Sequence, residues 1–304
     1  MIMNKTVRLD DDGIWLSREL ETIEARVFEK KYADIIYPQI LPVDTTTVDN
    51  ASDTYTYRMV DRVGKFRVIQ DRASDLPRVD VFRKETTMKV ISIAAAYAYT
   101  VQETRAARRQ GFGLQEQRVQ AVRRAYEEKV NDVALFGDSS VGIEGFFNST
   151  SVDKLNVTQT WISSTATADE MLKVLNTAVA YMVKGTNMVE RPNTMLMAYE
   201  DYNVLSTTPR SATSDTTVLQ YFLENDPYIT QIVPVNELDE YGGANKNRMV
   251  LYNRDPEKLR LHIPQVLEFF PPERSKLEYE VAAHGRVMGT TIYYPKSVLY
   301  VDQV

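Results

Sequence analysis

The residues in this sequence that most resemble a catalytic group are Gly137-Asp138-Ser139, which look like the nucleophile turn of some serine hydrolases. That chemistry needs a histidine base that a carboxylate holds in the correct orientation. The chain has two histidines, His262 and His284, and the third positions before them are Leu259 and Val281, where an Asp-x-x-His pair would need aspartate. The pattern therefore favours a surface turn, and a serine hydrolase that uses Ser139 stays only as a remote alternative.

Other patterns that could carry chemistry are incomplete. Gly111-Phe112-Gly113 lacks the third glycine of a dinucleotide-binding turn, and no parallel βαβ pattern surrounds it. Three aspartates at 10–12 lack the alternating spacing and the distal glutamate of a calcium loop. The absence of cysteine excludes disulfides, thiolate zinc sites and a cysteine nucleophile. We therefore predict no catalytic, cofactor-binding or metal-binding residues, and a protein that is not an enzyme.

Composition places the chain among proteins with a substantial core. Its 304 residues are 43% apolar, which predicts one large or two ordinary domains. The net charge of −6 argues against a protein that coats nucleic acid through bulk charge. The N-terminus has no apolar signal region, and no run approaches 18 apolar residues. We therefore predict a soluble protein that is made inside the cell and does not enter a membrane.

Positive charge is concentrated between residues 58 and 85, where eight basic residues stand against five acidic ones. This segment carries +3, so the rest of the chain carries −9. The eight basic residues are Arg58, Arg62, Lys65, Arg67, Arg72, Arg78, Arg83 and Lys84. Strand-like patterns at 54–60 and 87–101 flank the segment and predict a charged two-stranded excursion from one body. Because a bare two-stranded ribbon is marginal in water, it is either a solvated hairpin or an arm that rests on a partner.

Two helices stand out by their periodicity. The first is predicted over 14–36, and its apolar stripe consists of Leu16, Leu20, Ile23 and Val27. It is either a core helix or an arm that docks elsewhere, because residues 37–42 are predicted to be extended and are broken by proline. The second is predicted over 113–136 and ends at Gly137. It would be about 35 Å long, which suits a spine on which other elements lie.

A compact α/β block is predicted over 166–263, followed by a strand-rich tail. Thr167 and Glu170 form a capping box that opens a helix ending at Gly185. Ser214 or Asp215 is predicted to cap a second helix through Leu223. Strands are predicted at 193–198, 229–235 and 248–252, and again through much of 259–304.

Taken in order, these parts resemble a tailed-bacteriophage major capsid protein of the Hong Kong 97-type fold. The chain is similar in particular to the capsid family catalogued as domain of unknown function 2184. The resemblance spans nearly the whole chain and depends on the order and spacing of several segments. These segments are 137–148 (GDSSVGIEGFFN), Ile263-Pro264, 267–272 (LEFFPP), 280–289 (EVAAHGRVMG), 293–298 (YYPKSV) and Asp302.

The resemblance implies an α+β fold with an N-terminal arm, an extended β-hairpin called the E-loop, a peripheral (P) domain with a long spine helix, and an α/β axial (A) domain. The arm would cover residues 1–50, and the E-loop and P-domain 51–159, with the spine helix at about 102–140. The A-domain would cover 160–262, and residues 263–304 would return to the P-domain sheet and the A-domain.

The function implied by the resemblance is that of a head protein of a tailed double-stranded DNA phage. It would be made in the host bacterial cytoplasm and assemble into hexamers and pentamers of an icosahedral shell in the virion. The alternative is an encapsulin-like nanocompartment shell. Partners would be further copies of the chain, a separate scaffolding protein, a portal, a candidate decoration protein and packaged DNA bound without sequence specificity. No membrane is implied.

Two sets of residues are predicted to make the contacts between subunits. The E-loop set consists of Arg58, Arg62, Lys65, Arg67, Arg72 and Arg78. The N-arm set is the apolar stripe of the first helix, namely Leu16, Leu20, Ile23 and Val27. Some relatives cross-link an E-loop lysine to a neighbour, but nothing in this sequence predicts such a reaction at Lys65.

Overall fold

The computed structural model describes residues 32–68, 78–110, 114–157, 161–211, 213, 215–241 and 246–303. Contacts divide the chain into two units, Met1–Asp34 and Ile35–Val304, and all helices and strands named below lie in the second. The predicted stripe Leu16, Leu20, Ile23 and Val27 lies outside the described residues.

The end of the predicted first helix is wrong, because residues 32–36 are not helical. Residues 37–42 were expected to be extended, yet Tyr37–Ile40 forms a single helical turn. Pro38 lies in the first turn of this helix, where no backbone donor is needed and its fixed φ suits the helix.

Six helices occur in the described part of the chain. They are α1 (Tyr37–Ile40), α2 (Val101–Gln110), α3 (Leu114–Leu135), α4 (Ala168–Gly185), α5 (Tyr199–Thr207) and α6 (Val218–Asn225). Two short 3₁₀ turns lie at Asn236–Leu238 and Pro295–Ser297.

The strands of the described residues form four sheets. They are β1 (Val43–Asp44), β2 (Thr54–Val63), β3 (Asp80–Thr100), β4 (Gly137–Asp138), β5 (Ile143–Glu144), β6 (Asp153–Val157), β7 (Thr194–Met197), β8 (Gln231–Pro234), β9 (Arg248–Tyr252), β10 (Leu259–His262), β11 (Gln265–Phe269), β12 (Glu273–Ser275), β13 (Glu278–Met288), β14 (Thr290–Ile292) and β15 (Val298–Gln303). A small sheet has the order β1-β10-β14, and β4 pairs only with β5.

The long sheet has the order β11-β13-β3-β2, with β12 paired to the far end of β13. The 21-residue strand β3 divides its pairing between two partners. Its first half pairs with β2, from Thr54↔Lys89 to Val63↔Asp80, and its second half with β13, from Met288↔Val90 to Glu278↔Thr100. The predicted two-stranded excursion is therefore confirmed. Strand β3 starts seven residues earlier than the sequence pattern indicated, because pairing with β2 carries residues 80–86, four of which are charged, into the ladder.

A second sheet has the order β6-β15-β9-β7-β8, and its three inner strands β15, β9 and β7 are buried on both faces. Successive side chains along these strands point alternately into two hydrophobic cores. One core, beneath α4 and α6, receives Met195, Met249 and Leu299. The other, around α3, receives Val250 and Tyr300. Burial on both faces explains why β7 and β9 are continuous apolar runs rather than alternating ones. We call this the central sheet. It includes β6, although residues 153–157 lie within the predicted 51–159 range.

The second periodic helix, predicted over 113–136, is confirmed as α3 (Leu114–Leu135). Helices α2 and α3 flank residues 111–113, and α3 ends at Leu135. Val130 and Val133 are fully buried, Val122 and Tyr126 nearly so, as the periodicity predicted. The helix cannot continue because Gly137 adopts a left-handed φ of 73° and turns the chain into β4.

Of the two helix caps predicted in the central region, one is confirmed and the other is wrong. The capping box of Thr167 and Glu170 is confirmed, and α4 ends at Gly185 as predicted. The predicted cap at Ser214 or Asp215 is wrong: the Thr217 side chain accepts from Gln220 N at 3.2 Å and starts α6. Helix α5 was not predicted.

A buried carboxylate connects three segments at one end of the central sheet. Asp201 of α5 accepts hydrogen bonds from Trp161 Nε1 at 2.9 Å and from Asn247 Nδ2 at 3.2 Å. Asn247 in turn accepts from the backbone of Glu240, and its own N–H donates to Gln303 Oε1. Burial raises the pKa of Asp201 to about 6 against the lowering effect of its two donors.

In the tight turn after α3, we expect a single added methyl group to destabilise the fold severely. A Cβ at residue 145 would lie 2.4 Å from both Gly137 N and Leu135 O, which are backbone atoms that cannot move aside. We expect Gly145→Ala to lower the free energy of unfolding by about 2 kcal/mol or more in thermal melts. Gly185→Ala is the matched control, because nothing lies within 4 Å of its added Cβ. Equal melting temperatures for the two variants would contradict the packing described here.

The Asp201 site predicts a pH dependence of stability. Its folded pKa of about 6 lies above the ordinary aspartate value, so the folded state holds a proton that the unfolded state releases. The contribution of Asp201 to the free energy of unfolding is therefore highest below about pH 4 and falls by roughly 2–3 kcal/mol as the pH rises through 6. Urea unfolding of wild type and Asp201→Asn at pH 4 and pH 7.5 isolates this change. A difference between the two proteins that does not vary with pH would refute it.

Candidate intersubunit surfaces

The most exposed part of the described chain is the hairpin formed by β2 and the first half of β3. Ten residue pairs give a ribbon about 30 Å long. Beyond the pair Met59↔Lys84, every strand residue on either face is exposed. Within the described residues no third strand pairs with this part of the ribbon, so its outer backbone edges lack ladder partners.

Charge is divided between the two faces of the hairpin. Side chains alternate along a strand, and directly paired residues share a face. One face carries Arg58, Arg62 and Arg83 against the single acid Glu85, and we call it the basic face. The opposite face carries Asp61 and Asp80 against Lys84, together with Met59, Val63 and Phe82. A positive segment thus becomes a ribbon with one clearly positive side.

The predicted E-loop residues fall into three groups. Arg58 makes a cross-strand ion pair with Glu85 at 2.7 Å, so its charge is already matched within the chain. Arg62, Lys65, Arg67 and Arg78 lie exposed in the outer half of the hairpin or beside it. Arg72 lies outside the described residues. Arg83 was not among the predicted contact residues. It lies on the same face as Arg58 and Arg62, because it pairs with Val60, which lies between them on that face.

Apolar side chains at the outer end of the hairpin are not buried by the described part of their own chain. Phe66 is 100% exposed and Val68 98%. Val63, Val79 and Phe82 are also largely exposed. Together with the free strand edges, these residues form a surface that monomeric proteins usually cover or avoid.

The second notable surface is the outward face of β11, β12 and β13, where acidic residues surround small ones. Residue pairing places Glu268 beside His284, Glu273 opposite Glu280, and Glu278 beside Ser275. Alanines form the floor between the glutamates, namely Ala94, Ala96, Ala98 and Ala282. We call this the acidic face. The direct opposition of Glu273 and Glu280 is unfavourable within one chain, since like charges on paired residues repel.

The reverse side of the same strands packs on the spine helix. Val281 and Ala283 are buried there, and a Cβ at Gly285 would lie 2.5 Å from the Tyr126 ring. Arg123 of α3 lies over the Phe269 ring at 5.9 Å. The acidic face therefore points away from the core, and the sheet that carries it packs on the spine helix from behind.

The hairpin root is anchored to the body by aromatic and ionic contacts. The Tyr57 ring meets the Tyr293 ring edge-on at 5.0 Å. Arg286 donates to Asp53 Oδ1 and to Asn50 O, both at 2.5 Å, just before β2 begins. Lys89 Nζ donates to Val141 O at 3.3 Å on the other strand. The ribbon thus leaves the body at a defined place.

The residues that could have carried catalysis are not assembled into a site. Ser139 is exposed in the turn between β4 and β5, and among the described residues no hydrogen bond joins it to a histidine. His262 bonds Tyr293, and His284 pairs with Ala94 in the long sheet. In the described ranges no group of three His, Asp or Glu side chains could hold a metal ion. No helix there is long and apolar enough to cross a membrane.

Comparison with protein families adds the deciding observation: a family model described as major capsid protein matches residues 64–304. The chain belongs to the major capsid protein family. This capsid protein is therefore a structural protein of a virion that forms a shell with copies of itself. Comparison with curated proteins gave no match.

Solved structures share the fold of this capsid protein at low sequence identity. The capsid of Myoviridae phage XM1 matches with a TM-score of 0.84 at 16% identity, covering 97% of this chain and 100% of that one. The capsid of a native GTA particle matches with a TM-score of 0.66 at 11% identity over 100% of both chains. A chain of Mycobacterium phage Ogopogo gives 0.64 at 12% identity, covering 95% of this chain and 98% of that one. The predicted α+β capsid fold of the Hong Kong 97 type is confirmed by this likeness.

Proposed function

We propose that this capsid protein is the head shell protein of a tailed double-stranded DNA phage. It is made in the host bacterial cytoplasm and assembles as hexamers and pentamers into an icosahedral shell that encloses the genome. The observation that carries the proposal is the family match over residues 64–304, and the likeness to the capsid of phage XM1 along the whole chain supports it.

The proposal includes a domain assignment that the sheets support. The hairpin of β2 and β3 is the E-loop, and the long sheet with α3 is the P-domain of residues 51–159. The central sheet with α4, α5 and α6 is the A-domain of residues 160–262, completed by β6 and β15 from outside that range. Residues 263–304 return through β11, β12 and β13 to the P-domain before they enter the central sheet. Residues 1–50 are the N-terminal arm, which carries the second predicted contact set.

The E-loop acts through its basic face, which rests on the acidic face of a second copy. The charges are complementary: Arg62 and Arg83 have no acidic residue directly opposite in the hairpin, and Glu273 faces Glu280. The dimensions also match, because the ten-pair hairpin and the eleven-residue strand β13 are both about 30–35 Å long. The alanine floor lets a ribbon approach closely between the glutamates. Docking thereby relieves a repulsion that exists in the free chain.

The contact predicts how the shell depends on conditions. Ion pairs at the rim of an interface weaken as salt screens them, so assembly should weaken at high ionic strength. Each contact is modest, and repetition by symmetry multiplies its effect. Further partners in this proposal are a separate scaffolding protein, a portal and a candidate decoration protein. Packaged DNA needs no sequence-specific site, which agrees with the net charge of −6.

Electron microscopy of the purified protein tests the proposed function. We expect shells, hexamers or pentamers from the wild type, and a folded but unassembled chain when Arg62, Arg67 and Arg72 are all changed to Glu. Circular dichroism and melting temperature serve as the folding control. Normal particles from the triple variant would contradict the role of the E-loop, and a monodisperse wild-type monomer would contradict the shell itself. Enclosed DNA rather than a protein cargo separates a phage head from the encapsulin-like alternative.

A charge exchange tests the proposed pairing of the two faces. We expect Arg62→Glu with Arg83→Glu to abolish assembly, and Glu273→Arg with Glu280→Arg to do the same. The four changes together should restore at least half of the particle yield, because the attraction is re-formed with its signs reversed. The first pair leaves the Arg58–Glu85 ion pair intact, and the second replaces one like-charge pair by another, so folding is preserved.

The control for the charge exchange is Asp61→Lys with Asp80→Lys on the opposite face of the same hairpin. This pair should assemble, since it leaves the basic face unchanged. Failure of the four-change variant to assemble, with each two-change variant folded, would refute this pairing while leaving the shell function intact.

A further inference from the structure

His262 is the only fully buried histidine, and it lies where three chain segments meet. It ends β10, is 0% exposed, and its Nε2 is 2.9 Å from the Tyr293 hydroxyl that follows β14. The Tyr293 hydroxyl is 3.3 Å from the Tyr55 hydroxyl, which belongs to the root of β2. On the other side of the ring, Nδ1 is 3.5 Å from Asp44 Oδ2 in β1. A chain of polar groups thus runs from β1 through β10 to the root of the hairpin.

The polar groups around the ring leave one nitrogen without a hydrogen bond. His262 Nδ1 is buried and has no hydrogen-bond partner. The carboxylate of Asp44, the nearest acceptor, already has other donors. Its oxygens accept from Thr46 and Thr47 and from Arg260 Nη1 at 3.0 Å. These donors hold the pKa of Asp44 below its usual range, against the raising effect of burial, so it stays charged.

A neutral imidazole fits this environment. With its proton on Nδ1, the ring directs a weak N–H dipole towards Asp44, and Nε2 accepts from the Tyr293 hydroxyl, which in turn accepts from Tyr55. A lone pair on Nδ1 would instead face the carboxylate. The charged and titratable groups that surround the ring are Asp44 of β1, Arg260 of β10, Tyr55 of β2 and Tyr293.

We propose that Asp44, His262, Tyr293 and Tyr55 form a latch that holds the hairpin root against the body and opens when His262 takes up a proton. An imidazolium ion in this position would reverse the donation to Tyr293, place a second cation beside Arg260, and have no water around it. Opening the root exposes the ring to water and removes that cost. The inference does not depend on which surface the hairpin contacts.

The direction of the pH effect follows from the burial of the ring. Burial lowers the pKa of His262, Asp44 raises it and Arg260 lowers it, and the net shift is downward. The closed latch is therefore fully stable above the ordinary histidine pKa of about 6.5 and loses stability as the pH falls below it. The hairpin amplifies a small movement, since a rotation of about 10° at its root moves a tip 30 Å away by roughly 5 Å.

Hydrogen–deuterium exchange of the full-length protein tests the latch. Peptides that cover 54–59 and 84–90 are compared at pH 7.5 and pH 5.5 after correction for intrinsic exchange, in samples whose assembly state is matched by microscopy. We expect root amides of the wild type to exchange about tenfold faster at pH 5.5. Tyr293→Phe should show that faster exchange already at pH 7.5, because the relay is broken while the ring remains.

Three further variants make the result decisive. His262→Gln keeps an amide near the Nε2 position but cannot be charged, so its exchange should not respond to pH. Tyr55→Phe, which keeps all packing, tests the latch independently if His262→Gln folds poorly. His284→Gln is the matched control and should behave as wild type. An unchanged pH response in His262→Gln, or wild-type exchange in both Tyr→Phe variants at pH 7.5, would overturn the proposal.

Discussion

The pairing of strand β3 with two different partners is the constraint on which this structure depends. One half of the strand is held by β13 against the spine helix, and the other half carries β2 out into solvent. Because both halves belong to one continuous ladder, the direction of the hairpin is set by the register at Val90, where one partner replaces the other. The positions of the hairpin, of the acidic face and of the latch at the hairpin root all depend on that register.

Charge segregation gives the two surfaces their character. The net charge of +3 on residues 58–85 is not spread evenly over the hairpin. The strand ladder places Arg62 and Arg83 on one face and Asp61 and Asp80 on the other. The same rule collects glutamates from β11, β12 and β13 on a single outward face. Neither surface lowers the energy of the isolated chain, and this suits a protein whose stable form is a shell of many copies.

Much of the fold could be predicted from periodicity, whereas the surfaces could not. The stripe through Val130 and Val133 and the capping box at Thr167 are local patterns, and local physics decides them. The early start of β3 could not be predicted, because its charged residues enter the ladder only through pairing with a distant strand. The opposition of Glu273 to Glu280 depends on register as well, and the burial of His262 depends on three segments that are far apart in sequence.

The position of β15 has a consequence for the timing of folding. This strand lies between β6 and β9 inside the central sheet, and Arg248 of β9 holds Asp302 through two hydrogen bonds of 2.5 and 2.6 Å. Residues 298–303 follow every other described element in sequence. Both cores include residues of this strand, Val298 and Tyr300 on one side and Leu299 and Val301 on the other, so neither core is complete before the strand has been synthesised. A nascent chain with its hairpin already formed therefore still lacks the complete body that a shell requires until synthesis has passed residue 303.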